Sequence, residues 1–532
     1  FPEIAWNLKE LYVDGTAIEE VPSSIERFSR LDTLNMKDCV RLESLPDNIC
    51  KLKSLRNFFL GGTAIKELPQ SIENLSGLTL LYLKECKNLV SLPNGICNLK
   101  FLRHLALFGC SKLENLPTDL GKLDLLELEA DETAINQLPS SIMCLNGLTE
   151  LSFCGCKGQD SANFPLPPLS ALSSLRNLYL RDCNLLEFPA DVACLTSLET
   201  LSLGGNNFKS IPVSIKQLVE LRRLDLSYCK RLQSIPELPP HLKYFGAHGC
   251  TSLERVSRTL AVFPEWLDSC NRHIFLFTNC SSLDQNARSN IMEDAKRKIQ
   301  LMATACHKLY WGFYPTPSVT FGFPGSDIPE WFSYQSSGTS VTIKLPPRWH
   351  YPKFLGFAFC VVVAFSEYCD DLFFSFRCES DYQDLYCYLD GWYHVQKGKP
   401  GFDGSDHLFF LYDHSLYLMA TKGEEGENEA SFRFYPVDED RKPLHSCTVK
   451  KCGVHLLFPY EEKICSSRLI QGHTSQNIDA INQDSGKSME EGTKTKRYRN
   501  EDSYDGAEPS RCGIGSSNEE GDRDSKRFKG IN

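Results

Sequence analysis

Leucines recur through the first half of the chain at spacings of 21 to 27 residues, most often 23. Each leucine opens a segment of the form L-x-x-L-x-L, in which apolar and polar positions alternate. A period of two predicts a short β-strand with one buried face. The opening leucines are Leu8, Leu31, Leu55, Leu78, Leu102, Leu125, Leu148, Leu175, Leu198, Leu221 and Leu242.

The remainder of each unit predicts how the chain returns to begin the next strand. A Thr, Cys or Asn follows the strand, as at Thr16 and Cys110, where a small side chain can bond the backbone of a turn. Pro22 and its equivalents end the pairing because proline lacks a donor, and a half-helical segment such as Ser23–Ile25 closes the coil. One unit cannot bury its own leucines, but stacked units can. We therefore expect a leucine-rich-repeat solenoid, or horseshoe, of about eleven repeats over residues 1–256.

Two irregularities accompany the repeat. The unit that opens at Leu148 contains the insertion Gly158–Pro168, which we expect to bulge from one face as a loop. The first unit lacks a polar cap and the chain begins at Phe1 rather than Met, so we expect the parent array to extend upstream.

The polar positions between the leucines point out of the concave side of such a solenoid, which is the usual partner-binding surface. Several of them are large aromatics, which are enriched at protein interfaces. The alternative is that these rings only stack along the strand ladder. The predicted partner-binding residues are Tyr12, Phe59, Tyr82, Phe108, Glu129, Tyr179, Arg181, Arg222 and Arg223.

Charges on this face are segregated along the array. The sixth unit presents Glu127, Glu129, Asp131 and Glu132, whereas later units present arginines. This pattern suggests an acidic middle and a basic C-terminal section, which would favour a partner of complementary polarity. A solvated face of mixed charge is the competing interpretation. The later arginines are Arg176, Arg181, Arg222 and Arg223.

The second half of the chain follows a different pattern. Residues 257–309 form a junction segment, in which the apolar spacing of Ser289–Ala305 predicts a helix. Residues 310–460 contain short aromatic and β-branched runs between turns, which predict an all-β sandwich. The apolar run Phe354–Phe365 is too short to span a membrane and is interpreted as a buried strand. Residues 461–532 are rich in small and charged residues and are expected to be a disordered acidic and basic tail.

Composition narrows the function classes. The net charge of −11 and pI near 5.7 disfavour a nucleic-acid binder, and no apolar stretch predicts a membrane span. The 23 cysteines include a set that recurs at one position of the repeat, where a free thiol acts as a small buried apolar group. Without a signal peptide, we expect these thiols to be reduced.

The chain resembles the C-terminal part of plant intracellular immune receptors of the TIR–nucleotide-binding–leucine-rich-repeat family. The resemblance rests on the repeat wording at Gly15–Ile25 and Gly62–Ile72, and on the junction motif Phe277–Cys280. It also rests on segments typical of the post-repeat C-JID domain, a jelly-roll or Ig-like sandwich. These segments are Phe323–Phe332, Val341–Pro346, Ser405–Leu408 and Lys451–Leu457.

This resemblance implies a recognition module rather than an enzyme. In that family, the repeats and the post-repeat domain contact a pathogen effector protein, and this relieves autoinhibition of the upstream nucleotide-binding (NB-ARC) and TIR domains. The partners implied here are therefore an effector and the receptor's own upstream domains. The implied location is the cytoplasm. Basic clusters at Lys494–Arg499 and Lys526–Lys529 leave nuclear import as an open alternative.

Neither a cofactor nor a catalytic motif is apparent from the sequence. The chain has no phosphate-binding loop, no dinucleotide fingerprint and no C-x-x-C pair. Cys452 and His455 lack a second pair of metal ligands, and the neighbours Asp406 and His407 should point to opposite faces of a strand.

Two other function classes stay open. An extracellular or scaffold repeat receptor unrelated to immunity is suggested by the acceptor sequons at Asn74 and Asn279. An enzyme in the β domain would need a pocket with convergent titratable groups, for which the tight loop Gly391–His394 is a candidate.

Overall fold

The computed structural model describes residues 6–156, 164–258, 272–309, 316–345, 354–366, 375–380, 385–389, 402, 404–420, 429–438 and 440–459. The predicted tail 461–532, the loop Gly391–His394 and residues 158–163 of the predicted insertion lie outside the described residues. The end of that insertion is described, and Phe164 returns to the core beside Phe153 with a ring-centroid distance of 6.5 Å.

Each predicted repeat contributes one short strand to a parallel sheet, and the predicted solenoid is confirmed. The middle residue of every strand is buried and lies in register with its neighbours, as Leu34, Phe58 and Leu81 do. The eleven strands are β1 (Glu10–Tyr12), β2 (Thr33–Asn35), β3 (Asn57–Phe59), β4 (Leu80–Tyr82), β5 (His104–Ala106), β6 (Glu127–Glu129), β7 (Glu150–Ser152), β8 (Asn177–Tyr179), β9 (Thr200–Ser202), β10 (Arg223–Asp225) and β12 (Tyr244–Gly246). Behind them, β11 (Ser234–Ile235) pairs in parallel with β13 (Arg255–Val256).

The turn after each strand contains a residue with a positive φ directly before the inner Thr, Cys or Asn, and glycine alternates there with a larger residue. A side chain on one turn lies over the next turn: a Cβ added to Gly109 would fall 2.7 Å from Glu85 Oε1. Because glycine leaves that space and tolerates the left-handed backbone, the alternation is a packing requirement. The positions are Gly15, Asp38, Gly62, Glu85, Gly109, Glu132, Gly155, Asp182, Gly205, Tyr228, Gly249 and Asn279.

The next residue of each turn binds backbone carbonyls, as the sequence predicts. The Thr63 hydroxyl donates to the Leu60 carbonyl oxygen at 2.7 Å, and the Cys86 thiol of the following repeat donates to the same oxygen at 3.2 Å. The Asn206 amide nitrogen reaches two carbonyl oxygens, each at 2.7 Å. One side chain therefore joins two repeats, because it satisfies acceptors that the turn leaves without backbone donors.

The return segments are single turns of 3₁₀ helix, most of which begin directly after a proline. That proline fixes the entry to the turn, and the isoleucine, valine or leucine inside it points into the core. The turns are Ser23–Arg27, Asp47–Lys51, Ile72–Asn74, Asn94–Asn98, Leu120–Lys122, Ser140–Cys144, Leu169–Ala171, Ala190–Cys194 and Val213–Gln217.

The parallel sheet continues beyond the eleventh predicted unit. Strand β14 (Arg272–Leu276) pairs with β12 and is followed by the left-handed residue Asn279 and the buried thiol of Cys280, so it has the features of a twelfth repeat. Helix α1 (Gln285–Leu309) follows and is longer than the predicted Ser289–Ala305 at both ends. It begins earlier because the Asp284 carboxylate accepts the Ala287 amide at 2.6 Å.

The second half is a two-sheet sandwich joined to the solenoid. Strand β15 (Ser318–Pro324) pairs in parallel with β14 and antiparallel with β21 (Asp406–Asp413), which leads to β18 (Gly356–Phe365), β23 (Cys447–Leu457) and β16 (Tyr334–Ser337). In the part of the chain that the structure describes, strands of the solenoid and the sandwich therefore share one 17-stranded sheet. The opposing sheet has the order β17 (Ser340–Lys344), β22 (Glu429–Val437), β19 (Ser375–Ser380), β20 (Leu385–Leu389). A short helix α2 (His414–Ala420) follows β21.

Strand β18 is buried on both faces, which explains its unbroken apolar run. Phe357, Phe359 and Val361 pack in the core between the two sheets. Ala358 and Cys360 face the other way, into the core that contains the solenoid leucines and the apolar face of α1. The boundaries at residues 256, 309 and 460 stay predictions.

Candidate partner-binding face

Two columns of side chains flank the buried middle residues of the eleven solenoid strands, β1–β10 and β12. We call the third residues of the strands the outer column and the first residues the inner column. In register, the outer column reads Tyr12, Asn35, Phe59, Tyr82, Ala106, Glu129, Ser152, Tyr179, Ser202, Asp225 and Gly246. Five predicted residues, Tyr12, Phe59, Tyr82, Glu129 and Tyr179, belong to it.

The other four predicted residues lie beside the outer column. Phe108 and Arg181 follow their strands by two residues and are half-buried. Arg223 begins β10 in the inner column, and Arg222 directly precedes it. Six of the nine thus belong to the two columns and the other three lie within two residues of a strand, while their role in binding stays a prediction.

The N-terminal part of the face is aromatic. The Tyr12 side chain is 58% exposed, and the rings of Phe59 and Tyr82 contact each other with centroids 5.8 Å apart. The Tyr82 ring lies over Gly61, where an added Cβ would fall 2.9 Å from the Lys84 carbonyl oxygen. The rings of Phe59 and Tyr82 therefore stack along the ladder, and each also keeps part of its surface exposed.

Lys84, which the sequence analysis did not single out, links the aromatic part to the acidic part. Its ammonium group lies 5.5 Å from the Tyr82 ring centre and 2.7 Å from the Glu129 carboxylate. The pair reaches across two repeats, past the small side chain of Ala106. The positive charge of Lys84 therefore offsets the negative charge of Glu129, although the two residues are far apart in the sequence.

A second bridge of the same kind lies further along the array. Arg181 on the eighth repeat pairs with Asp225 on the tenth. Gly204 lies below the guanidinium group, and an added Cβ there would be 3.1 Å from the Arg181 Cζ atom. Both charged side chains are largely buried, so water and salt weaken the attraction between them less than in an ordinary surface pair.

Asp131 is less exposed than the sequence suggests. Its Oδ1 atom accepts the Ser152 hydroxyl at 2.5 Å and the Cys154 amide at 2.6 Å. Burial raises the pKa of the Asp131 carboxyl to about 6, against the lowering effect of these two donors. The Asp131 carboxylate therefore helps to order the turn and is less accessible on the face than its residue type implies.

The arginines of the C-terminal section are mostly paired with nearby acids. Arg176 pairs with Glu199, and Arg222 pairs with Glu220 at 3.1 Å. Among the described residues, Arg223 has no acidic partner, and its guanidinium group stacks on the Tyr244 ring at 3.9 Å. The contrast between an acidic middle and a basic end is thus partly neutralised within the face.

The inner column was missed as a set by the sequence analysis, although it flanks the same buried residues. His104 Nδ1 lies 2.8 Å from Glu127, and the Asn177 amide donates to Glu150 at 3.1 Å. The alternation that predicted the outer column predicts this one too, because both neighbours of a buried strand residue point outward.

The fold separates the residues of the β domain that could have formed a catalytic or metal site. Asp406 pairs with Lys450 at 2.6 Å, whereas His407 is buried and accepts the Asn279 amide at its Nε2 atom at 3.0 Å. Cys452 lies in the sandwich core, and His455 lies against Ser333 at the surface. Within the described ranges, no group of three or more potential metal-binding side chains is present.

The cysteines and sequons also have clear positions. Each cysteine whose side chain the structure describes is a free thiol, and burial raises the pKa of the Cys110 thiol to about 12, which keeps it protonated. Asn74 is exposed, but Asn279 is buried in the turn after β14 and does not offer an accessible acceptor. None of the helices in the described ranges is long and apolar enough to cross a bilayer.

Comparison with known families gives two matches. A model described as "Disease resistance protein RPS4B-like, leucine-rich repeats" matches residues 27–120 and 114–266, and a model of the C-JID domain matches residues 323–464. Neither describes an enzyme domain. Together they cover the second to the eleventh predicted repeats and most of the sandwich.

Similar proteins carry related names. The "Disease resistance-like protein DSC1" of Arabidopsis thaliana is 35% identical over 481 residues, which are 87% of this chain and 35% of that protein. "Disease resistance protein RPP2B" of the same species is 36% identical over 495 residues, 89% of this chain and 36% of the relative. The "TMV resistance protein N" of Nicotiana glutinosa is 37% identical over 375 residues, 68% of this chain and 27% of the relative.

The chain thus spans about a third of the length of the curated relatives it matches. Among solved structures, the "Plant peptide hormone receptor RGFR1 in complex with RGF2" has a TM-score of 0.35 and 24% identity, and the match covers 53% of this chain and 47% of that one.

Proposed function

Because this chain belongs to the plant disease resistance proteins that join leucine-rich repeats to a C-JID domain, we propose that it recognises a pathogen effector protein. The observation that carries the proposal is the aromatic and charged face of β1–β12. Partly exposed rings on a rigid sheet bury much area on binding at little loss of rotamer freedom, which favours a protein partner.

Signalling would then depend on domains upstream of the repeats. In the proposed mechanism, the module holds the receptor's own NB-ARC and TIR domains inactive until effector binding weakens those contacts. The module itself performs no catalysis and needs no cofactor. It acts in the cytoplasm, and entry into the nucleus would depend on the basic clusters of the tail.

Capture of a defined effector by the full chain tests the proposal. The chain would be co-expressed in leaf tissue with a panel of tagged pathogen effectors and then immunoprecipitated. A Tyr82→Ala/Tyr179→Ala variant is expected to lose the captured effector, because both rings lie in the outer column. Phe101→Ala is the matched control, since Phe101 is 58% exposed but precedes β5 outside both columns.

Three results separate the alternatives. Loss of the effector in the tyrosine variant but not in Phe101→Ala supports recognition by the solenoid face. Equal capture by all three proteins would move the binding surface to the sandwich. Failure to capture any effector would contradict effector recognition by this chain.

The arginines supply a second test of the same face. Arg222→Glu/Arg223→Glu reverses two charges where Arg223 stacks on Tyr244 without an acidic partner in the described part of the chain. We expect at least about a tenfold loss of affinity for a partner of acidic polarity. Unchanged affinity would contradict a role for the basic section.

A further inference from the structure

A surface groove of about 460 Å³ lies away from the solenoid face, between α1 and the edge of the sandwich. Three elements form it: α1, the segment that leads into β16, and the end of β23. Its volume falls within the usual range of small-molecule sites, roughly 300–1,000 Å³. It is lined by Lys296, Gln300, Ser333, Tyr334, His455, Leu456 and Phe458.

The polar groups of the groove converge at one place. The Ser333 hydroxyl lies 3.1 Å from His455 Nδ1, and the edge of the His455 ring meets Trp331 with centroids 5.4 Å apart. Trp331 also lies below the Lys296 ammonium group, whose distance to the ring centre is 5.4 Å. A cation, a hydroxyl and an imidazole therefore gather around one tryptophan.

Lys296 has no carboxylate partner within the described ranges. Its position over an aromatic ring fixes the ammonium group while leaving its donors available to a ligand. Burial, and then the charge of Lys296, lower the pKa of His455. An anion placed between the two groups would remove that repulsion and accept a hydrogen bond from each of them.

The opposite part of the groove is apolar. The Phe458 side chain is 41% exposed, and its ring contacts Phe354 with centroids 6.0 Å apart. The backbone is held at this point because the Gln300 amide donates to the Phe458 carbonyl oxygen at 2.8 Å. An exposed phenyl ring on a fixed backbone offers a flat surface for the body of a ligand.

We propose that this groove binds a small organic anion, a carboxylate or a phosphate monoester attached to an aromatic or alkyl body. The anionic group lies between Lys296, Ser333 and His455, and the body packs on Phe458. Ser333 and His455 serve here as binding groups. Within the described residues, the only hydrogen-bonding partner of the His455 imidazole is Ser333, so no carboxylate orients it as a general base.

A set of matched ligands tests the charge requirement. The full chain would be titrated with para-trifluoromethylbenzoate, para-trifluoromethylphenyl phosphate and the neutral para-trifluoromethylbenzyl alcohol, and binding would be followed by fluorine NMR. We expect at least one anion to bind about tenfold more tightly than the alcohol. The two anionic ligands distinguish a carboxylate site from a phosphate site.

Variants test the position of the site. Lys296→Gln keeps most of the side chain but removes the charge, and it should weaken binding of the anion about tenfold. Arg297→Gln is the control, because it removes a cation from the next, exposed position of the same helix. Ser333→Ala should give a smaller loss than Lys296→Gln.

Several results would overturn the proposal. Equal binding of the alcohol and the anions would remove the charge requirement, and equal losses in Lys296→Gln and Arg297→Gln would move the anion elsewhere. Failure of both anions to bind would leave the groove without this ligand class. None of these results affects the proposed recognition of effectors, which rests on the other face.

Discussion

At the scale of single residues, the solenoid is governed by the alternation at its left-handed turns. A residue with a side chain at one turn extends over the next turn, and at Gly62, Gly109 and Gly205 an added Cβ would collide with it. This explains why the repeat sequence alternates between units that have glycine before the inner Thr, Cys or Asn and units that have a larger residue there, most often an acid. The consequence is that glycines with the same φ should differ in their tolerance of substitution.

Gly205→Ala should therefore destabilise the chain more than Gly155→Ala. Both residues have φ near +75°, so both variants bear the same backbone cost of about 1–2 kcal/mol. The Cβ at position 205 would collide with the Asp182 carboxylate, whereas at position 155 the nearest atom, Glu132 Cγ, is 3.7 Å away. Urea unfolding measures the difference.

Relief of the collision supplies the control for this prediction. Asp182→Gly combined with Gly205→Ala should recover the part of the loss that exceeds the backbone cost. Equal losses for Gly205→Ala and Gly155→Ala would show that the alternation has no packing origin.

Asp131 should contribute to the pH dependence of stability. Burial raises the pKa of its carboxyl from the ordinary 3.8 to about 6, so the folded state binds more protons than the unfolded state between these values. The free energy of unfolding therefore decreases as pH rises through this window, by up to about 3 kcal/mol. Asp131→Asn should lack this decrease, because an amide does not titrate in this range. Its Oδ1 atom can still accept from Ser152 and Cys154, so the hydrogen bonds of the turn are kept.

The measurement is the difference between wild-type and Asp131→Asn unfolding free energies at several pH values from 4 to 7, a range that brackets the folded-state pKa of about 6. Glu132→Gln serves as the control, since Glu132 is the exposed neighbouring acid. A constant difference across the range would show that Asp131 titrates as an ordinary surface carboxyl.

At the scale of elements, α1 carries an ionisable group into the core. Lys298 is buried at the solenoid end of the sandwich, and its ammonium group lies 4.6 Å from the Phe275 ring centre. Burial lowers the pKa of Lys298 to about 8, and the negative charge of Asp294 opposes this shift. Lys298 is polar by residue type, but its side chain faces inward and packs against Phe275 of β14.

Lys298 should make the chain more stable at alkaline pH. The unfolded state binds more protons than the folded state between pH 8 and 10.5, so the free energy of unfolding rises through that window, by up to about 3 kcal/mol. Lys298→Met should lack the rise, whereas Lys308→Met, in the exposed last turn of the same helix, should keep it. Parallel curves for all three proteins would contradict the burial of this charge.

The sequence predicts elements of this chain well where the controlling contacts are local. The leucine period predicted the strands and their register, because each repeat packs only on its neighbours. The apolar spacing predicted α1, although the residue at which the helix begins depends on the Asp284 cap. The partners of the candidate site were less predictable: Arg181 meets Asp225 across 44 residues, and Asn279 meets His407 across 128. Nothing in the local pattern indicates such pairs.

At the scale of the whole molecule, the solenoid and the sandwich share one sheet and one apolar core. The Ala247 amide donates to Leu276 at 2.7 Å, and the Phe277 amide donates to Gly322 at 2.7 Å, so the ladder passes from β12 through β14 to β15. One apolar core contains solenoid leucines, the inner face of α1 and one face of β18. An array of repeats needs a cap at its end, and the sandwich supplies it here.

Because the cap and the last repeats share contacts, they should open together. His407 on β21 accepts the Asn279 amide in the turn after β14, and its Nδ1 atom lies 3.0 Å from the Ser405 carbonyl oxygen. His407→Ala removes the acceptor of a buried backbone amide, which costs about 1–3 kcal/mol. Hydrogen exchange with mass spectrometry should show faster exchange in β21, β14 and β12 together, while β2–β5 keep their protection.

Asp406→Asn is the matched control for this experiment. Asp406 is the adjacent residue of the same strand, and its ion pair with Lys450 lies within the sandwich rather than at the solenoid. This variant should leave the exchange of β12 and β14 unchanged. If His407→Ala accelerated exchange in β21 alone, the two halves would be independent folding units that merely share a sheet. Joint acceleration would mean that force or strain applied at the sandwich reaches the last repeats of the candidate partner-binding face directly.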